Sequence, residues 1–350
     1  MFAATVGIIG LILIQYSPFD QISHLWKSED PDWQLYKTLF ISEKGRVIDT
    51  GNQNNSHSEG QGWGMLFAVK NNDRSSFDQI WRWTQENLQI RQDPLFVWKW
   101  DANQPEDHTP DNNNATDGDL YIAWALLRAG KRWGRSEYTD AAKEILQCVR
   151  EKMIRHYAGM TVLLPGEKGF IREDHLLLNL SYWIFPALGE FDQIDPDPVW
   201  QALHESGIKL IHQAQFGQWK LPSDWIELTS TGEIRLSEDF PPRFSYDAIR
   251  VPLSLLWAQV ADRELLKPFQ NLSDHFSQLE SAPAWVDLEN NSLAPYQASE
   301  GFNGVMALAD VIINDAKTDS AIPHLKPDQD YYSASLLMLA RQAIDETSKK

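Results

Sequence analysis

Along most of this chain apolar residues recur every three or four positions. Ile122, Ala125, Ala129 and Trp133 follow that step, as do Ile80, Trp83 and Ile90, with Asn87 interrupting. This spacing puts the apolar side chains on one face of a helix. It predicts helices over 31–42, 58–71, 74–90, 116–133, 137–156, 173–190, 197–215, 246–261, 263–280, 299–315 and 330–345. Between them run loops rich in Pro, Asn and Asp at 101–114, 162–170 and 218–244. Short strands are expected at 46–49, at 161–164 and within 218–244. The helices come in pairs about 50 residues apart, which suggests stacked helix hairpins. No repeat is visible in the sequence, so the pattern allows an open solenoid or a closed toroid. No low-complexity linker divides the chain, and residues 23–350 read as one domain.

Residues 2–16, FAATVGIIGLILIQY, carry no charge and are mostly apolar. The run is shorter than the roughly 20 residues a spanning helix needs. It suits the core of a signal peptide, although a basic segment before it and an A-x-A site after it are missing. Residues 1–22 are therefore expected to be a signal peptide or an N-terminal anchor, with the protein exported to the periplasm or beyond. The alternative is an apolar N-terminal element packed on the domain.

The net charge of −18 argues against a nucleic-acid partner. It allows a neutral or a cationic glycan. Cys148 is the single cysteine, so no intrachain disulfide can form. The nine histidines show no HExxH spacing, and neither a metal nor a cofactor is expected. Fifteen Trp residues are many for this length. Each alone reads as core packing, but as a set they suit a groove that stacks on sugar rings.

Three stretches place acids beside helix starts. In Ser58-Glu59-Gly60-Gln61-Gly62-Trp63-Gly64, Ser58 and Gln61 have the spacing of a capping box, which sets Glu59 in the first turn. Three glycines there imply that something approaches the backbone closely, since each costs about 1 kcal/mol relative to Ala. Thr116 reads as an N-cap with Asp119 as its structural partner, and Asp117 stands between them. Ser245 reads as a cap for Asp247, with Arg250 three residues on and within reach for pairing. Taken singly, such acids are most simply dipole partners of their helices.

The run ATDGDLYIAWALLRAGKRW at 115–133 resembles the signature of the family-eight glycoside hydrolases, and SEGQGWGM at 58–65 resembles the same family's acid-bearing segment. Phe244-Ser245-Tyr246-Asp247-Ala248-Ile249-Arg250-Val251-Pro252 resembles its base-bearing segment. Other segments are similar to the subgroup encoded beside bacterial cellulose synthases: Arg46-Val47-Ile48-Asp49, Leu163-Leu164-Pro165-Gly166 with Gly169-Phe170, Asn179-Leu180-Ser181-Tyr182 and Ser223-Asp224-Trp225. Leu180 stands where that subgroup often has Pro. The resemblance implies an all-α (α/α)6 barrel, a toroid of about twelve helices with short strands in its loops. Its cleft would cross the end where the inner helices begin.

The same resemblance implies an inverting endo-β-1,4-glucanase acting on cellulose. Glu59 would be the general acid, Asp247 the general base, and Asp117 the group that orients the ring. Tyr182 would help position the water. Arg250, Trp98, Trp100 and Trp63 are expected to contact the glycan. Ser299-Glu300-Gly301 echoes the acid segment, but Glu300 is expected to be only a helix-start acid. The carboxyls of Glu59 and Asp247 are expected roughly 6.5–9.5 Å apart, as inversion requires. Chitosan, xylan or mixed-linkage glucan are alternative substrates. A glycan-binding component of a synthase complex is the alternative from another class. The expected partners are a β-1,4-glucan and a cellulose synthase complex, with the protein itself a monomer.

Overall fold

The computed structural model describes residues 30–348 except 105 and 315–321. The segment 1–22 thus lies outside the described residues. Eleven α-helices occur among those described: α1 Pro31–Phe40, α2 Ser58–Lys70, α3 Arg74–Asn87, α4 Thr116–Trp133, α5 Ser136–Lys152, α6 Phe185–Phe191, α7 Val199–Gln213, α8 Arg250–Trp257, α9 Arg263–Phe276, α10 Glu300–Asn314 and α11 Tyr331–Thr347.

Burial separates them into two layers. In α2 every residue from Gly60 to Val69 is buried, and in α4 the run from Thr116 to Leu127 is. A helix apolar on all sides belongs inside. In α3 only Phe77, Ile80, Trp81, Trp83 and Thr84 are buried, one face of an outer helix. The inner helices close on themselves. α2 packs on α4, α4 on α6, α6 on α8, α8 on α11, and α11 returns to α2. α10 lies against α8 and α11. The return of α11 to α2 settles the toroid over the open solenoid.

The glycines of α2 serve this packing. A Cβ on Gly62 would lie 2.6 Å from the Cβ of Tyr121, and one on Gly118 would lie 2.1 Å from Ser58 Oγ. What approaches the backbone so closely is α4, not a ligand. A Cβ on Gly60 would meet the Tyr331 hydroxyl at 2.5 Å, and one on Gly64 would meet Val47 at 2.9 Å.

The strands are short and lie in the loops. β1 Ser56–His57 pairs with β2 Lys99–Trp100, Ser56 opposite Trp100. β3 Ile154–Tyr157 and β4 Met160–Leu163 form a hairpin. β5 His175–Leu178, β6 Ile226–Thr229 and β7 Ile234–Leu236 make a three-stranded antiparallel sheet. β8 Arg243–Phe244 pairs with β9 Val286–Asp287.

Three expected helices change. The helix expected over 137–156 stops at Lys152, and Ile154 begins a strand. The stretch 173–190 is not one helix. It is β5, then a 3-10 turn Leu180–Tyr182 whose start is fixed by Asn179 accepting from Ser181 N at 3.1 Å, then α6. Pro186 sits in the first turn of α6, where a missing N–H is harmless. The helix expected from 246 begins at Arg250 instead, because residues 246–249 form a separate turn.

Candidate active site

α2, α4, α8 and α11 all start at one end of the toroid. Their first turns surround a cavity of about 200 Å³, whose wall includes Glu59, Asp117, Asp247, Arg250, Tyr182 and Trp98. Helix starts present unpaired N–H groups and are reached by long loops, so polar chemistry gathers there.

The three acids reach this cavity by means other than the expected caps. Ser58 is itself the first residue of α2, and the N-cap His57 makes no side-chain cap bond. Gln61 turns away, accepting from Val47 N at 2.6 Å and donating to Thr84 Oγ1 at 2.8 Å. It pins the 46–49 segment rather than the helix start, so the capping box does not form. Thr116 likewise lies inside α4 and donates to the Leu164 carbonyl at 2.7 Å. Asp119 is structural as expected, but through other partners: it accepts from Phe96 N at 3.0 Å and Asn114 Nδ2 at 2.7 Å. Burial pushes Asp119 up to about 7. Ser245 gives its hydroxyl to Asp224, and Asp247 occupies the turn ahead of α8 rather than its first turn.

Arg250 organises the centre. Its guanidinium is buried, and the single atom Nη2 faces four acceptors. It donates to Ser181 Oγ at 3.0 Å and to Asp247 Oδ1 at 3.1 Å. Glu59 Oε1 lies 3.2 Å away and Asp117 Oδ2 3.6 Å away. Nη2 carries two hydrogens, and both are committed to Ser181 and Asp247. Glu59 and Asp117 therefore feel the positive charge without receiving its N–H bonds. Nη1 donates to the Tyr332 hydroxyl at 3.3 Å. Two nearby polar atoms, Ser58 Oγ and Arg250 Nε, are buried without a protein partner.

This arrangement divides the protons. Burial raises Glu59 well above the ordinary carboxyl range; Arg250 opposes this, and the carboxylate of Asp117 adds to it. Asp117 is raised by burial too, but Arg250, a hydrogen bond from Glu59 and the Gly118 N–H at 2.8 Å favour its charge. Burial therefore lifts both acids, and each one's charge bears on the ionisation of the other. A helix start lowers a carboxyl pKa, so the raised acid shows that desolvation outweighs the dipole here. Tyr182 is held neutral, raised by burial and by the surrounding carboxylates. Asp224, behind Asp247, is pushed up to about 7 by burial and by Asp247's charge.

Glu59 Oε1 and Asp247 Oδ1 contact the same nitrogen at 3.2 and 3.1 Å, so these oxygens lie at most about 6.3 Å apart. The bound concerns only the two oxygens that face the guanidinium, not the separation of the whole carboxyl groups.

The tryptophans divide. Trp98 lines the cavity, stacks on the His57 ring at 6.0 Å and donates to Asp111 at 2.8 Å. Trp100 does not line it. Pairing with Ser56 carries Trp100 to the outer rim, where Arg46 covers its ring at 4.7 Å and His108 stacks on it at 3.9 Å. Trp63 is fully buried and touches no glycan path. It supports Arg250, whose guanidinium lies 5.9 Å from its ring. Glu300 pairs with Lys326 and Gln329, away from the cavity.

The sequence reading missed Asp49, His57, Ser181, Asp224, Tyr331 and Tyr332. Burial holds His57 down at about 4, leaving it neutral. Asp49, Ser181 and Asp224 fall within segments already matched to the family, but nothing in their spacing revealed a role. Among the described residues, no group of three His, Cys, Asp or Glu side chains is arranged to hold a metal ion.

The sequence matches the profile of Glycosyl hydrolases family 8 over residues 13–346. This chain belongs to that family. It is 41% identical over 320 residues to the probable endoglucanase of Novacetimonas hansenii, covering 91% of each. Among solved structures, it is similar to the family 8 endoglucanase Cel10 of Klebsiella pneumoniae, with a TM-score of 0.84 and 40% identity over 91% of this chain and 100% of that one. It is equally similar to the endo-β-1,4-glucanase CMCax of Acetobacter xylinum, with a TM-score of 0.84 and 40% identity over 91% and 98% of the two chains. The closed ring and its outer helices are thus the (α/α)6 barrel of this family, and the protein is a glycoside hydrolase.

Proposed function

We propose that this protein cleaves β-1,4-glucan chains internally, with inversion at the anomeric carbon. One observation carries the reading: a single buried guanidinium stands among three carboxylates and gives its N–H bonds to only one of them. Arg250 fixes the Asp247 carboxylate through a bond of 3.1 Å, as a base that must be aimed at a water requires. Glu59 is raised by burial against the pull of Arg250, as an acid requires. In the reaction Glu59 turns from Arg250 to protonate the leaving oxygen. Asp247 takes a proton from a water that attacks the opposite face of the ring. The two acids then stand on opposite sides of the space a sugar and a water need. Asp117 accepts from Glu59 in the resting site and holds the ring in the reacting one. Tyr182, held neutral, steadies the water through its hydroxyl.

A panel of soluble polysaccharides tests the substrate. Carboxymethylcellulose is expected to lose viscosity well before reducing ends accumulate, with slower cleavage of xylan and chitosan. Binding without cleavage of any of them would favour a glycan-binding role instead.

We further propose export, a monomeric enzyme, and action on glucan emerging from a cellulose synthase. The support is the uncharged run at 2–16 and the segments similar to the synthase-associated subgroup. No helix among the described residues is long and apolar enough to cross a membrane. A reporter fused after residue 25 is expected to be active only outside the cytoplasm. Activity inside the cytoplasm would count against export.

A further inference from the structure

Asp224 lies in the loop before β6, more than twenty residues from the proposed base, yet its carboxylate is bound to the base's turn. Oδ1 accepts from Ser245 N at 3.0 Å and from Ala248 N at 2.7 Å. Oδ2 accepts from the Ser245 hydroxyl. The main chain joins in: Asp224 N donates to the Arg243 carbonyl at 2.7 Å, and Ser223 Oγ donates to the same carbonyl at 3.2 Å. Residues 243–248 are thus gripped on both sides of Asp247, whose own carboxylate is left with Arg250.

This grip answers a local problem. Residues 245–248 form a turn ahead of α8, and the N–H groups of Ser245 and Ala248 need an acceptor. Ser245 does not cap, because its hydroxyl is given to Asp224. A carboxylate from a distant loop takes the place of the cap. A second buried acid beside Asp247 is electrostatically costly. The three bonds that its carboxylate accepts from this turn offset that cost.

We propose that Asp224 is the positioning residue of the general base: through Ser245 and Ala248 it fixes the turn that aims Asp247 at the attacking water. The proposal rests on the reading of Asp247 as the base. It places Asp224 outside the substrate, so its loss acts on kcat and leaves KM nearly intact. A misplacement of about 1 Å at a catalytic group can cost about 100-fold in rate.

The test compares Asp224→Ala, Asp224→Asn and Ser245→Ala on carboxymethylcellulose, each checked for folding by near-ultraviolet circular dichroism. Asp224→Ala is expected to lower kcat about 100-fold with KM changed less than about threefold. Asn keeps an acceptor for both amides and can donate to Ser245 Oγ. It should restore kcat to within about fivefold of wild type. Ser245→Ala, which removes one of the three bonds, should lower kcat about three- to tenfold, and it tests the proposal if Asp224→Ala does not fold.

Asp247→Asn and the double variant Asp247→Asn/Asp224→Ala complete the cycle. If Asp224 acts through Asp247, the double variant is no slower than Asp247→Asn. A near-wild-type kcat for the folded Asp224→Ala, or for Ser245→Ala where Asp224→Ala does not fold, would overturn the proposal. So would losses that multiply in the double variant. Substantial activity in Asp247→Asn would instead overturn the base assignment, which separates the two failures.

Discussion

The toroid holds an arginine between carboxylates at each end, Arg250 buried and Arg128 partly buried, and the two are bonded differently. At the end where the inner helices begin, Arg250 meets Glu59, Asp117 and Asp247 through one nitrogen. At the end where they finish, Arg128 meets Glu190 and Glu346. It donates from Nε and Nη2 to Glu190, at 3.1 and 2.7 Å, and from Nη1 and Nη2 to Glu346, at 2.7 and 3.0 Å. Glu346 accepts further from Trp257 Nε1 at 2.9 Å and Gln342 at 2.8 Å. The far end also has the larger cavity, about 530 Å³ against about 200 Å³. Size and buried charge therefore do not mark the active end.

Hydrogen-bond accounting does. Around Arg128 each acid receives directed N–H bonds, and the guanidinium holds Glu346 below its ordinary range despite burial. Around Arg250 Nη2 there are more acceptors than hydrogens, and burial leaves Glu59 and Asp117 raised. A satisfied network is a brace, whereas an under-donated one retains a mobile proton.

The largest expected effect breaks the active end chemically. Glu59→Gln keeps the size of the side chain but carries no proton to give. It should lower kcat on carboxymethylcellulose by at least about 1000-fold with the fold intact. Near-wild-type turnover would remove Glu59 as the acid. Asp117→Asn should cost less, about 10- to 100-fold in kcat, with binding of cello-oligosaccharides largely kept, as read by calorimetry.

Arg128→Met reverses the pattern. It strands two partly buried acids and should destabilise the fold by about 3 kcal/mol in urea unfolding, while kcat at 25 °C stays within about twofold of wild type. A marked kcat loss in the folded variant would mean that the two ends are coupled.

The smallest effect is that of pH on thermal stability. Asp119 and Asp224, raised to about 7, disfavour the folded state where they must ionise. Their unfolded values lie near 4. The resulting cost is complete above pH 7 and fades as pH falls toward 4. Asp73 is held below its usual range despite burial, chiefly by Lys37, with help from Ser76 and Trp33, and Asp93 by Arg91 and Lys152. They stabilise above pH 4 and lose that contribution below it. Calorimetry should find Tm rising by a few degrees from pH 7 to 5 and falling below about 3.5. A Tm flat from pH 7 to 5 would contradict the raised acids.

The helices of the barrel were legible because burial on one face or on all faces leaves an apolar period. The chain from Leu176 to Ile184 misled because it is apolar nearly throughout, and period alone does not separate a buried strand from a helix. That Glu59, Asp117 and Asp247 share one cavity was legible from family-like segments, although all three supposed caps proved to bond elsewhere. Short-range patterns name a helix start but not the distant partner that competes for its hydroxyl, as Asp224 does for Ser245. Trp63 and Trp100 were misplaced for a related reason: composition suggests stacking, but only the packed structure shows which ring keeps an open face.

The division of labour between Glu59 and Asp247 is tested most directly by the anomer released first. Proton NMR of cellopentaose hydrolysis, followed before mutarotation, should show the α-anomer at the new reducing end. That is the product of a water activated by Asp247 on the face opposite Glu59. The β-anomer appearing first would mean that Asp247 attacks the sugar itself, and would contradict its role as a base.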